Sequence, residues 1–322
     1  MKEKVMQGKP YAGNPHVRFD EGEVASAATP RRGSLLYKTV KLITSVIFAA
    51  ALAGCCCAPK CDCASGGKEP NVSVFGVSIA KMARERNITI AEAADMLYDI
   101  GVRGFDIGPD SKDLPALADT KLKPINFYYF PKMFGADNGA AECKHCLDRA
   151  VEYGVPRVMI VPSNFTKDGD EETEFAKIVS SMKMFVDEGR KRGITITVED
   201  FGGTSNAASH AKYLKRLLDE VPGLCFALDS GNLYYAGRGD DILEMMEYAK
   251  GRIAHVHLKD QTKENNRRYA TLGLGAVPNE KIVKSVNAMG YEGWYTLENP
   301  VGDVYTDVVR QVAVLKSWLA GR

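Results

Sequence analysis

Ile194-Thr195-Ile196-Thr197-Val198-Glu199, Leu224-Cys225-Phe226-Ala227-Leu228-Asp229, Ile253-Ala254-His255-Val256-His257 and Trp294-Tyr295-Thr296-Leu297-Glu298 are four strand-like runs, each ending in a residue able to bind a metal. Successive endings are spaced by about one β-strand plus one α-helix. In a closed barrel of parallel strands, the C-terminal strand ends converge on one rim, and active sites sit there. Three carboxylates and an imidazole would then surround one point. Like charges do not pack together without a counter-charge, and a divalent cation supplies one.

Outward from these runs, the same alternation extends from Asn71 to the end of the chain. Strands are predicted near 73–77, 103–107, 124–129, 157–161, 194–199, 224–229, 253–257 and 294–298. Helical spacing falls between them, near 140–153, 174–192, 206–220, 241–250, 279–289 and 304–320. Thr89-Ile-Ala-Glu92 is a capping box that opens a further helix, and Gly101 can close it. The expected class is α/β, a (β/α)8 barrel over residues 71–322, close to the usual length of about 250 residues. A doubly wound open sheet would set its strand ends along a line and bind at one switch point. No Gly-rich phosphate fingerprint follows the first strand, and four successive strands ending in ligand-type residues fit closure better.

Composition excludes other classes. The 322 residues are 45% hydrophobic and 26% charged, an ordinary globular balance. A net charge of +1 provides neither a basic field for nucleic acid nor an acidic disordered tail. Of the 8 cysteines, Cys55, Cys56, Cys57, Cys61 and Cys63 cluster near the N-terminus, which is no disulfide framework for a large core. Cys143-Lys-His-Cys146 lies inside a predicted helix with no second pair nearby and reads as a plain helical pair. Cys225 reads as core.

The N-terminal part divides in two. Residues 1–54 hold a polar extension, a basic Lys38-Thr-Val-Lys41 and an apolar run from Leu42 to Gly54, too short to span a bilayer, which takes about 20 residues. Basic, apolar and small-residue segments in that order form a signal peptide. Leu52-Ala53-Gly54-Cys55 resembles the lipobox of bacterial lipoproteins, which implies lipid on Cys55, attachment to a membrane and a cell-envelope location. Residues 1–37 precede the basic region, more than such signals carry; translation from near Val40 would account for them. Residues 55–70 read as a flexible tether.

The barrel segment resembles the sugar phosphate isomerase/epimerase family, the xylose isomerase-like TIM barrels. The resemblance rests on Thr197-Val-Glu199-Asp-Phe-Gly, Leu228-Asp229-Ser-Gly-Asn232, His255-Val-His257-Leu-Lys259-Asp260, Leu272-Gly-Leu-Gly275 and Tyr291-Glu-Gly-Trp-Tyr-Thr-Leu-Glu298, in that order. It implies that Glu199, Asp229, His257 and Glu298 hold one divalent ion. Mostly oxygen donors suit Mn²⁺ first, with Mg²⁺, Co²⁺ or Zn²⁺ accommodated. Strand alternation puts His255 and His257 on one face; the family pattern makes His257 the ligand and leaves His255 in the interior behind it. The chemistry implied is proton transfer beside a carbonyl through an enediolate, with Glu199 and Glu298 as the two catalytic groups acting on a keto sugar or related polyol. Lys259, Asp106, Asn232 and, in the loop after the His257 strand, Arg268 beside Arg267 are the expected substrate contacts. The alternative for Lys259 is an ion pair with Asp260. Ketose 3-epimerases carry a His three residues after the Asp ligand, where this chain has Asn232; that weighs against this one specificity, not against the metal site.

Other classes stay in view. A trinuclear zinc endonuclease on the same kind of barrel needs many histidines, and only His145, His210, His255 and His257 lie in this segment. A dehydratase of the inosose type would use the same metal to expel a β-hydroxyl. A non-catalytic sugar-binding envelope protein would keep the barrel without turnover. A homo-oligomer is compatible with each.

Overall fold

The computed structural model describes residues 70–203 and 205–320. Cys55, the signal-like segment 1–54 and nearly all of the predicted tether lie outside the described residues.

Eight parallel strands close into a barrel in the order β1-β10-β7-β6-β5-β4-β3-β2. They are β1 (Asn71–Phe75), β2 (Val102–Ile107), β3 (Lys123–Tyr129), β4 (Arg157–Ile160), β5 (Thr195–Glu199), β6 (Cys225–Asp229), β7 (Ile253–Leu258) and β10 (Trp294–Leu297). Closure is made where Asn71–Val74 pairs in parallel with Trp294–Leu297. Between strands run α1 (Gly76–Arg86), α2 (Ile90–Asp99), α3 (Leu114–Ala118), α4 (Ala140–Glu152), α5 (Glu171–Lys191), α6 (Ala211–Glu220), α7 (Asn232–Tyr235), α8 (Asp241–Tyr248), α9 (Asn279–Ala288) and α10 (Val304–Leu319). A short antiparallel hairpin, β8 (Asp260–Gln261) with β9 (Tyr269–Ala270), leaves the barrel just after β7. No helix among the described residues is long and apolar enough to cross a membrane.

Local chemistry explains the boundaries. The Thr89 side chain accepts from Glu92 N–H while the Glu92 carboxylate accepts from Thr89 N–H, the reciprocal cap that starts α2. Gly101, at φ +103°, turns the chain out of α2 into β2, a conformation other residues resist. The first strand ends earlier than 73–77, the predicted span. Gly76 begins α1, and a side chain there would meet Ile107 Cδ1 at 3.0 Å and Leu117 Cδ1 at 3.1 Å. The predicted 206–220 helix is interrupted at His210, with a short 3₁₀ turn over 207–209 before α6. Cys225 opens β6 and is partly exposed, not a core residue. Cys143 and Cys146 are buried on α4, and burial pushes the Cys143 thiol up to about 12, which keeps it unreactive.

The helical layer packs against the outer face of the strands with Phe105, Phe127, Phe175, Phe185 and Phe226 fully buried. The inner face is different. Ser73, Asp106, Asn126, Arg157, His255, His257 and Thr296 are all polar and all less than a tenth exposed. That polar axis leads to the site.

Candidate metal centre

Glu199 and Asp229 are the last residues of β5 and β6, His257 is the penultimate residue of β7, and Glu298 directly follows β10. These strands are consecutive around the barrel, β10-β7-β6-β5, so their C-terminal ends share one arc of the rim. One ligand atom from each of the four lies within 4.8 Å of every other. His257 Nδ1 is 2.7 Å from Glu199 Oε1, 3.7 Å from Glu298 Oε2 and 3.9 Å from Asp229 Oδ2. The four residues expected from the strand endings are therefore brought together.

The donor set fits a divalent cation. Asp229 Oδ1 accepts from Gly231 N–H at 2.8 Å and Asn232 N–H at 2.7 Å, which fixes the carboxylate plane. Its other oxygen, Oδ2, is buried without a hydrogen bond; Lys259 Nζ stands 3.1 Å away, within ion-pair range but outside hydrogen-bond geometry. One ammonium against three carboxylates this close leaves negative charge in excess, which a divalent cation would balance. Burial, with Glu298 and Glu199 opposing Lys259, pushes the Asp229 carboxyl up to about 7. Burial alone would lower the His257 imidazole, but Glu199 and Asp106 override it and hold it well above its usual value. Without an ion, a proton thus occupies the imidazole nitrogen that faces the carboxylates.

Lys259 belongs to this cluster rather than to a surface pair with Asp260. Its Nζ is 2.8 Å from Glu298 Oε1, 3.1 Å from Asp229 Oδ2 and 3.2 Å from Asn232 Oδ1. Burial would lower the ammonium, yet Asp229 and Glu298 hold it well above the usual lysine value. Asp260 instead accepts the backbone N–H groups of Gln261, Gly273, Gly275 and Val277, and so ties down the loop beside the site. Asn232, expected as a substrate contact, has its side chain engaged within the protein, donating to Asp200 C=O at 2.8 Å while accepting from Lys259.

One expectation needs correction. Asp106 does not face the mouth of the barrel; it is fully buried, accepting from Asn126, His255, His257 and Thr296. Burial opposes its ionisation, but the two facing imidazoles and their hydrogen bonds hold it far below the usual carboxylate range. Its role is behind His257, whose Nε2 it meets at 3.0 Å. Arg268 is exposed on the hairpin between β8 and β9, and its side chain makes no hydrogen bond or ion pair among the described residues. The adjacent Arg267 lies over the Tyr235 ring at 5.7 Å. His145 and His210 are engaged elsewhere, with Asp110 and Arg238.

Several neighbours were not foreseen. Asp200 follows Glu199, is fully buried and accepts from Asp229 N–H at 2.7 Å. Burial and the Asp229 charge raise its carboxyl well above the usual range. Its position next to a ligand was the available signal. Phe75 stands edge-on to His257 at 5.1 Å, and Tyr128 packs on Phe75 at 5.3 Å, forming an apolar flank. Nothing local marks these two rings as site residues; only the closure of β1 and β3 into the barrel brings them there.

A family model described as xylose isomerase-like TIM barrel matches residues 80–318. An inosose dehydratase of Geobacillus thermodenitrificans (strain NG80-2) is 25% identical over 145 residues, 39% of this chain; the match spans about half of that relative, 47% of its length. Among solved structures, an L-ribulose 3-epimerase superposes with a TM-score of 0.63 at 13% identity, over 79% of this chain and 95% of the other. The IolI protein with a bound zinc atom superposes with a TM-score of 0.59 at 14% identity, over 77% and 96%. At such identities the structural likeness shows the fold.

Proposed function

We propose that this chain, which belongs to the xylose isomerase-like TIM barrel family, is a divalent-metal-dependent isomerase or epimerase acting by proton transfer on a keto sugar or related polyol. The observation that carries the reading is Glu199 and Glu298 converging on His257 Nδ1 from the two ends of the quartet, beside Oδ2 of Asp229, which has no hydrogen bond. Glu199, Asp229, His257 and Glu298 would hold the ion, Mn²⁺ being the best match to their donors. When bound, such an ion supplies positive charge against the negative charge that develops at a carbonyl oxygen. Glu199, on β5, and Glu298, after β10, lie at opposite ends of the arc, placed to take a carbon-bound proton and to return one. Return to the opposite face of the same carbon is epimerisation, and return to the neighbouring carbon is isomerisation. Lys259, held by Asn232 and Glu298, presents an ammonium to a substrate oxygen at the same point. The apolar flank of Phe75 and Tyr128 keeps water from one side of the cluster.

The named relatives support both directions of this chemistry. L-ribulose 3-epimerase shares the fold, and IolI shares it with zinc bound. The match to inosose dehydratase favours a second reading, in which the same residues remove a proton beside a carbonyl and a β-hydroxyl leaves as water. Lipidation of Cys55, cleavage behind Gly54 and a cell-envelope location complete the proposal, and point to free sugars or oxidised glycosides as substrates.

The test is a metal-loaded soluble form beginning near Gly66, incubated in D₂O with unphosphorylated ketoses, inososes and 3-keto-glycosides. Deuterium at the carbon next to the carbonyl supports the proposal. Product lighter by one water marks the lyase. Turnover without solvent deuterium refutes the two-base scheme, and binding without turnover on any member indicates a sugar-binding protein.

A further inference from the structure

Arg157 opens β4, at the end of the barrel opposite the ligand rim, and is 7% exposed. A buried guanidinium forfeits its hydration and is normally met by a carboxylate. Among the described residues Arg157 forms no ion pair with one, and its Nε has no hydrogen-bond partner. Instead its side chain crosses the barrel interior, and Nη1 lies 3.2 Å from His255 Nδ1.

That contact has one permitted polarity. A guanidinium only donates. His255 Nδ1 is therefore the acceptor, and the ring proton sits on Nε2, 2.7 Å from Asp106 Oδ2. The same oxygen meets His257 Nε2 at 3.0 Å and Asn126 Nδ2 at 2.8 Å. The Thr296 hydroxyl donates to Asp106 Oδ1 at 3.0 Å, which leaves the Ser73 hydroxyl, 2.6 Å from Thr296 Oγ1, as donor to it. Four donors thus end on one fully buried carboxylate, with Arg157 setting the direction of the chain from below. His257 thus donates from Nε2 to Asp106, and its Nδ1 is the nitrogen aimed at the carboxylates of Glu199, Asp229 and Glu298.

The geometry points to Arg157 as a positioning residue that, through His255 and Asp106, fixes which nitrogen of His257 faces the carboxylate cluster, and so sets how tightly the cluster holds a divalent ion. This rests on the reading that the four residues bind a metal. Loss of the Arg157 donor frees the His255 ring to turn or to present either nitrogen, and Asp106 then no longer anchors His257 in one orientation.

The experiment uses the full chain and Mn²⁺ alone, with binding followed by titration calorimetry and folding by circular dichroism. Arg157→Met should weaken Mn²⁺ binding about 10- to 100-fold, the usual effect of removing a group that orients a ligand. Arg157→Lys, which keeps a cationic donor, should restore most of the affinity. In an Asp106→Asn background the link is already cut, so adding Arg157→Met should cause no further loss. The metal-free protein gives an independent readout: ring ¹⁵N shifts should show His255 protonated on Nε2 in the wild type and mixed or reversed in Arg157→Met. A folded Met variant with wild-type affinity overturns the proposal, as does an equal loss in both backgrounds, which would make Arg157 a part of the barrel floor only. Should the Met variant not fold, His255→Gln cuts the chain one residue later and must show the same loss, cancelled by Asp106→Asn. Wild-type protein that takes up no Mn²⁺ sinks the metal reading itself; the ¹⁵N shifts, measured without metal, still show whether Arg157 orients His255.

Discussion

Replacing Lys259 with Met separates the part played by charge from the part played by shape, because the two side chains are similar in length. Lys259 Nζ is 2.8 Å from Glu298 Oε1 and 3.1 Å from Asp229 Oδ2. At an effective dielectric constant of about 20, each contact is worth about 5 kcal/mol of raw attraction, most of it offset by desolvation. Removing one partner of a buried pair costs about 3–5 kcal/mol, or roughly 6–20 °C of Tm for a domain of this size. The loss should depend on metal. In the metal-free cluster the carboxylates outnumber the Lys259 ammonium and the raised His257 imidazole, and the Met variant adds one more uncompensated negative charge. A bound divalent ion would offset two of the negative charges in either protein. Self-repulsion grows as the square of net charge, so the Tm deficit of the metal-free variant should exceed that of the loaded one. Differential scanning fluorimetry at pH 8, with EDTA and with saturating Mn²⁺, measures both. An equal deficit in the two conditions would refute the charge argument and leave Lys259 as a packing residue.

Glu199→Gln and Glu298→Gln keep shape but remove a base, so each should lower kcat by about 10²- to 10⁴-fold; metal content measured in the same samples separates catalysis from ligation, and full activity in both would move the chemistry elsewhere. The pH response follows from the raised groups. Asp229, at about 7, and His257, well above its usual value, both bind protons more tightly in the folded chain than in the unfolded one. Their stabilisation is complete below the unfolded values and is lost as pH rises through the folded ones. The metal-free protein should therefore lose Tm as pH rises from about 4 through 7, where Asp229 gives up its proton, and further above pH 7 as His257 does, while the loaded protein, whose cation replaces those protons, should not; parallel curves would contradict this. Cys55→Ala should release or mis-sort the protein, and mass spectrometry should find a lipid-modified Cys55 at the mature N-terminus; an unmodified chain beginning at Met1 would refute the anchor.

What could be read from the residues was what is local. Runs of β-branched and aromatic residues ending in Glu199, Asp229, His257 and Glu298 marked both the strands and the ligand rim, because a strand end and its terminal side chain are neighbours in sequence. Thr89 and Glu92 marked a helix start for the same reason. The polar axis was not legible. Asp106 meets His255 and His257 across 149 and 151 residues, and Arg157 meets His255 across 98. In sequence Arg157 is simply the residue before Val158. Lys259 stood beside Asp260, an obvious local partner, but backbone N–H groups from the following loop claim that carboxylate and leave Lys259 to Asp229 and Glu298. The β8–β9 hairpin has two residues per strand, too few to show a period.

The central claim is that four strand ends hold one divalent ion. Elemental analysis of the purified chain after loading and desalting tests it most directly. The account predicts one ion per chain in the wild type and little in Asp229→Ala or His257→Ala, since each loss leaves the remaining carboxylates repelling one another around an incomplete site. Equal metal in wild type and both variants would contradict it.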